Sequence, residues 1–73
     1  MSEATYKITE IVGTSPDGVD QAIRNGVAKA SETLRHLDWF EVTEIRGFLG
    51  GATSNGQVDY FQVTMKVGFK LES

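Results

Sequence analysis

From Tyr60 to Leu71 the chain alternates without a break. Phe61, Val63, Met65, Val67, Phe69 and Leu71 interleave with Tyr60, Gln62, Thr64, Lys66, Gly68 and Lys70. Successive side chains of a strand point to opposite faces, so this period specifies a strand with one continuous apolar face. The other face is polar without being densely charged. A strand this regular needs partners on both edges and a layer over its apolar side, which limits the folds open to the rest of the chain.

The covering layer comes from the middle of the sequence. Val19, Ala22, Ile23, Gly26, Val27, Ala30, Thr33, Leu34 and Leu37 recur at steps of three and four. They predict one amphipathic helix over roughly residues 16–37. Ser15 is a suitable N-cap, Pro16 suits the first helical position, and Asp17 favours the positive end of the dipole. Gly26 and Ala30 are small enough to let the helix approach a sheet closely. Arg24, Lys29, Glu32 and Arg35 make its solvated face. Gly13-Thr14-Ser15 lacks the Lys-Ser/Thr of a phosphate-binding loop, so it reads as a helix start. His36, near the predicted helix end, reads as a surface residue compatible with the dipole.

Two further strands complete the pattern. Tyr6, Ile8 and Val12 share one face of the first, with Lys7, Thr9 and Ile11 on the other, so both faces are partly apolar. The second runs from Trp39 to about Leu49. Phe40 and Val42 point one way, Trp39, Glu41 and Thr43 the other. Beyond Val42 the alternation fails, because Glu44 and Arg46 fall on the Phe40 side. Either a bulge shifts the register there or the strand leaves the helix for another subunit. Residues Gly50–Gly56, ending in Asn55-Gly56, form the hairpin loop. The order is strand, helix, strand, strand. A right-handed crossover makes the first two strands parallel, and the third, placed between them, antiparallel to both. The expected fold is α+β: a three-stranded antiparallel sheet in order 1-3-2 on one helix, a single domain over residues 1–73.

A chain of 73 residues buries only about 60% of its unfolded surface. Domains of this size add disulfides, a metal or oligomerisation. There is no cysteine, and His36 is the one histidine, so oligomerisation remains. The net charge of −3, with acids and bases interspersed, argues against nucleic acid as a partner. No apolar run reaches membrane-spanning length and no signal-peptide pattern is present. The expected setting is the cytoplasm, with no membrane partner. No Ser-His-acid or Cys-His set is visible, and Glu10, Asp38, Glu41 and Glu44 lack a catalytic arrangement. Trp39, the sole tryptophan, turned away from the helix, needs a neighbouring subunit or a ligand against it. Alone, it reads as an interface anchor sooner than as a stacking platform. Gln62, Arg46 and Lys70, taken singly, read as surface residues or inter-subunit pairs.

Thr5-Tyr6-Lys7, Glu10-Ile11-Val12-Gly13-Thr14-Ser15, Thr33-Leu34-Arg35, Trp39-Phe40-Glu41-Val42, Ile45-Arg46-Gly47 and Phe61-Gln62-Val63-Thr64-Met65-Lys66-Val67-Gly68-Phe69 occur in this order. Together they resemble the dodecin family over nearly the whole chain. The resemblance implies a hollow shell of twelve identical β-α-β-β subunits, a homo-oligomer that stores and scavenges flavin rather than an enzyme. Flavins bind there as stacked pairs between tryptophans of symmetry-related subunits. The stacking tryptophan falls on Trp39, and the glutamine that hydrogen-bonds the flavin ring edge falls on Gln62. Two basic positions, associated with the phosphate of flavin mononucleotide (FMN) or with coenzyme A, fall on Arg46 and Lys70. The implied cofactor is FMN or riboflavin. Another nucleotide-like ligand such as coenzyme A is the alternative, and a flavoenzyme is disfavoured because a ring stacked on both sides offers no face to a substrate. The Gly50–Gly56 loop is longer than the turn common in the family, a departure that leaves Trp39 and Gln62 untouched. A hairpin centred near residue 53 sets Trp39 opposite about residue 67 and Gln62 opposite about residue 44, on the order of 15 Å apart.

Overall fold

The regular strand takes the middle of the sheet. In the computed structural model, which describes residues 3–50 and 55–71, the order is β1 (Tyr6–Ser15), α1 (Val19–Ala30), β2 (Leu37–Leu49) and β3 (Val58–Lys70). The sheet runs β1-β3-β2, with β3 antiparallel to both neighbours. Val63, Met65 and Val67 of β3 and Ala22 of α1 are the buried hydrophobic residues. Ile11, Val19, Ile23, Val27, Leu34, Leu37 and Val42 pack around them.

The helix lies against β1 and β3. It sits close because small residues meet at the crossing. A methyl group on Gly13 would run into the Ala22 carbonyl and lie 3.1 Å from the Gly26 nitrogen; one on Gly26 would lie 3.1 Å from Met65 Cε and 3.3 Å from Gly13 Cα. Gly26 thus has the role its position in the apolar stripe predicts, with Ala22 rather than Ala30 as the buried partner.

The helix is shorter than its apolar periodicity predicts. Ser15 is not its N-cap: it stays in β1, buried, and its Oγ accepts a hydrogen bond from the Asp17 N–H at 2.9 Å. Pro16 and Asp17 occupy this turn, and the helix starts after Gly18. At the other end the Ser31 hydroxyl donates to the Ala28 carbonyl at 2.7 Å, and Thr33 and Leu34 N–H groups both donate to the Ala30 carbonyl. Leu34 and Leu37 still pack against the core, so the apolar spacing outruns the helix itself. His36 lies in the turn into β2 with φ 63°, not on a helix.

The β2–β3 register slips between Leu37 and Trp39, between Val42 and Glu44, and between Phe48 and Leu49. The second slip is the bulge that the failed alternation called for. It returns Glu44 and Arg46 to the face carrying Trp39. Asn55 and Gly56 both have positive φ, 51° and 79°, as an Asn-Gly turn demands. Residues 51–54 of the expected loop lie outside the described residues.

Twelve helical residues span about 18 Å, whereas thirteen-residue strands span about 43 Å. The β2–β3 hairpin therefore projects beyond its helix, and Ile45, Leu49 and Val58 on it are exposed. The chain measures 57 × 20 × 14 Å.

Candidate ligand-binding face

The sheet face turned away from α1 is assembled from the even-numbered residues of β3 and the residues paired with them. Trp39 stands opposite Gly68, Glu41 opposite Lys66, Glu44 opposite Thr64, Arg46 opposite Gln62 and Phe48 opposite Tyr60. On the other side β1 contributes Tyr6, Ile8, Glu10, Val12 and Thr14. Tyr6, Ile8, Val12 and Trp39 are all exposed.

Trp39 is a platform with a floor. Its indole lies flat enough on β3 that a methyl group on Gly68 would coincide with Cε2 and Cζ2 and come within 2.7 Å of Nε1. One ring face is thus closed by backbone. The residue is nonetheless 39% exposed, so the side chain stays accessible away from Gly68. Ile8, on the other neighbour of Gly68, borders the same spot.

Near the platform, the Tyr6 hydroxyl donates to Asp38 Oδ2 at 2.8 Å, linking β1 to the residue before Trp39. This hydrogen bond raises the Tyr6 phenol above the ordinary tyrosine value, and burial and the carboxylate charge add in the same direction. Sequence reasoning missed Tyr6 and Asp38 as neighbours of the platform and Gly68 as its floor. The glycine had a signal: it sits on the polar face of β3 about where a hairpin count places the tryptophan.

The four residues singled out from sequence fall into two groups. Trp39 and Lys70 lie at one end of the sheet, Lys70 two positions beyond Gly68. Gln62 and Arg46 face one another across β3 and β2 at the other end. The expected pairings are corrected here: Trp39 is opposite Gly68 rather than 67, and Gln62 opposite Arg46 rather than 44. The hairpin is centred slightly later than expected and the slip between Phe48 and Leu49 adds one residue, of which the slip after Val42 takes one back before Trp39. Six residues of β3 now separate the two groups, about 20 Å at strand rise. Arg46 Nη2 lies 3.2 Å from Glu44 Oε1, an exposed pair of the kind that contributes little to stability. At the same end Phe48 and Tyr60 stack with centroids 4.7 Å apart. Among the described residues no cluster of three His, Cys, Asp or Glu side chains is placed to hold a metal ion, and no helix is long and apolar enough to cross a membrane.

Fold and face together define a class: a one-helix β-α-β-β domain whose antiparallel sheet holds an open aromatic platform on the side away from the helix. A family profile, Dodecin, matches residues 5–72. A dodecin of Thermus thermophilus is 54% identical over 67 residues, which are 92% of this chain and 91% of that protein. The chain belongs to the dodecin family. Among solved structures, dodecin from Streptomyces davaonensis superposes with a TM-score of 0.88 at 61% identity, covering 99% of this chain and all of that one. Dodecin from Streptomyces coelicolor gives 0.86 at 60% identity, covering 100% and 99%.

Proposed function

We propose that this chain binds flavin, riboflavin or FMN, in stacked pairs between the Trp39 rings of neighbouring subunits. The homo-oligomer is a dodecameric shell in the cytoplasm that stores and scavenges flavin and shields it from light. The observation that carries this reading is the Trp39 indole, floored by Gly68 and still exposed. Indole is a strong π-platform, and a platform with a single open face takes a single ring. A flavin between two such platforms offers no face to a substrate, which favours storage over turnover. Titrating the flavin-free protein with riboflavin tests the reading. Saturable loss of flavin fluorescence is expected. A protein that ignores flavin and binds coenzyme A instead would shift the assignment to a nucleotide-binding module.

Two features support assembly. Among the described residues the buried apolar core is four residues, and a row of apolar side chains stays exposed on the outer sheet face and on the projecting hairpin. Such surface on a small chain marks an interface. Light scattering at micromolar concentration is expected to give one closed species of twelve subunits. A monomer or dimer would contradict it.

Arg46 and Lys70 are the cations assigned to a phosphate-bearing ligand. Arg46→Ala is expected to weaken FMN by roughly tenfold, the scale of one charge-assisted hydrogen bond, and riboflavin much less. Equal losses for the two ligands would mean that Arg46, held at Glu44, supports the sheet instead.

A further inference from the structure

The entrance of β2 has an unusual construction. Leu37 pairs with Phe69 and Trp39 with Gly68, so two steps on β2 match one on β3 and Asp38 is the extra residue of a bulge. A bulged residue has no partner in the ladder, and the direction of the next side chain depends on how the bulge is held. Here Trp39 is the next side chain. The chain arrives from a turn in which His36 has positive φ. The backbone tie at this point is the Lys70 N–H to the His36 carbonyl, at 3.1 Å. The bulge itself is held by a side chain. Asp38 accepts the hydroxyl of Tyr6 at 2.8 Å, from 32 residues earlier in sequence. Tyr6 pairs with Lys70, so its phenol reaches over β3 and ties one edge strand to the other. Leu71 N–H to the Thr5 carbonyl, at 2.8 Å, secures the base of that reach.

We infer that Tyr6 is a positioning residue for the stacking platform: by holding the Asp38 bulge it fixes the attitude of the Trp39 indole over Gly68. This rests on the reading of Trp39 as the flavin platform. Three contacts then define the ring. Gly68 sets its height, the bulge sets its direction, and the Tyr6–Asp38 hydrogen bond stops the bulge from relaxing. Stacking is sensitive to tilt and offset, so a ring held at one point only would bind flavin with a wider spread of geometries.

The test uses the assembled protein and two probes, riboflavin and the intrinsic emission of the one tryptophan. Tyr6→Phe keeps the ring and removes the hydroxyl. Asp38→Ala removes the acceptor, and Asp38→Asn keeps one. Tyr6→Phe and Asp38→Ala are expected to weaken riboflavin by roughly three- to tenfold, the scale of one hydrogen bond. They are also expected to raise the residual fluorescence of flavin at saturation and to shorten the anisotropy decay of Trp39 without ligand. Asp38→Asn restores most of each signal. The double variant is no worse than either single one, because both remove the same link. Val27→Ala, a core change at a distance from the platform, lowers the melting temperature without altering residual fluorescence or anisotropy.

Full quenching and unchanged Trp39 anisotropy in Tyr6→Phe would overturn the inference. So would Val27→Ala reproducing the Tyr6→Phe signals, which would make them a mark of general loosening. If wild-type protein binds no riboflavin, the functional reading fails, and the anisotropy of the flavin-free variants still decides whether Tyr6 holds the tryptophan.

Discussion

Trp39→Ala is expected to remove most flavin affinity and to leave any flavin still bound fluorescent. A ring stacked on an aromatic side chain is worth about 1–3 kcal/mol by alanine substitution, or roughly five- to 150-fold in affinity. Fluorescence returns because the excited flavin no longer has an indole to take an electron from. Gln62→Ala is expected to behave differently. An amide both donates and accepts, matching a ring edge that carries carbonyls and an N–H. Its loss weakens recognition of that edge and leaves quenching in place. The two residues stand about 20 Å apart along one chain, too far for one ring system to span. The stacking tryptophan and the edge-binding glutamine of a given flavin are therefore proposed to come from different subunits. Shells assembled from a mixture of Trp39→Ala and Gln62→Ala chains decide this. Shared sites regenerate some wild-type-like binding, beyond that of either parent shell. If each site were built from one chain, every site in the mixed shell would lack one group or the other and no recovery would appear.

Gly68→Ala is expected to cost nearly as much flavin affinity as losing the tryptophan, although Trp39 is still present. In a strand interior, replacing glycine by alanine ordinarily gains about 0.5–1 kcal/mol from backbone entropy. Here the added methyl group would occupy the space of the indole ring. Backbone does not yield easily, but a tryptophan side chain can rotate. The sheet survives, and the ring leaves its floor. Circular dichroism and light scattering should match wild type, while Trp39 emission shifts and flavin quenching falls sharply. Wild-type riboflavin affinity in Gly68→Ala would show that the indole stacks from a position other than the one seen over Gly68.

What the sequence disclosed and what it hid have separate physical causes. Strand β3 was legible because a central strand is constrained on both edges and on its helix-covered face, and its residues obey the period strictly. The order 1-3-2 followed from that. The bulge after Val42 was legible as a fault, two charged residues on the wrong side. The slip between Phe48 and Leu49 and the slightly later centre of the hairpin left no such trace, so the pairing of Trp39 came out one residue short and that of Gln62 two; the bulge at Asp38 left none either. The helix ends were obscured because Leu34 and Leu37 continue to serve the core from a turn and a strand, and periodicity reports burial rather than backbone conformation. The Tyr6–Asp38 bond joins residues far apart in sequence, and no local pattern encodes it. Trp39, Gln62, Arg46 and Lys70 were placed on one sheet face by alternation, the bulge and the resemblance together. Their separation into two distant groups needed the register.

The position of β3 carries a consequence for how the chain is made. The central strand is the last of the three to be synthesised. Until it arrives, β1 and β2 have no native partner, since neither hydrogen-bonds the other. The helix meanwhile has only β1 to lie against. No native part of the sheet can form before β3 is made, because both ladders include it. Contacts dominated by such distant pairings form slowly. Until β3 docks, the two edge strands lack their native ladders, and the order of the elements makes sheet formation wait on the last strand.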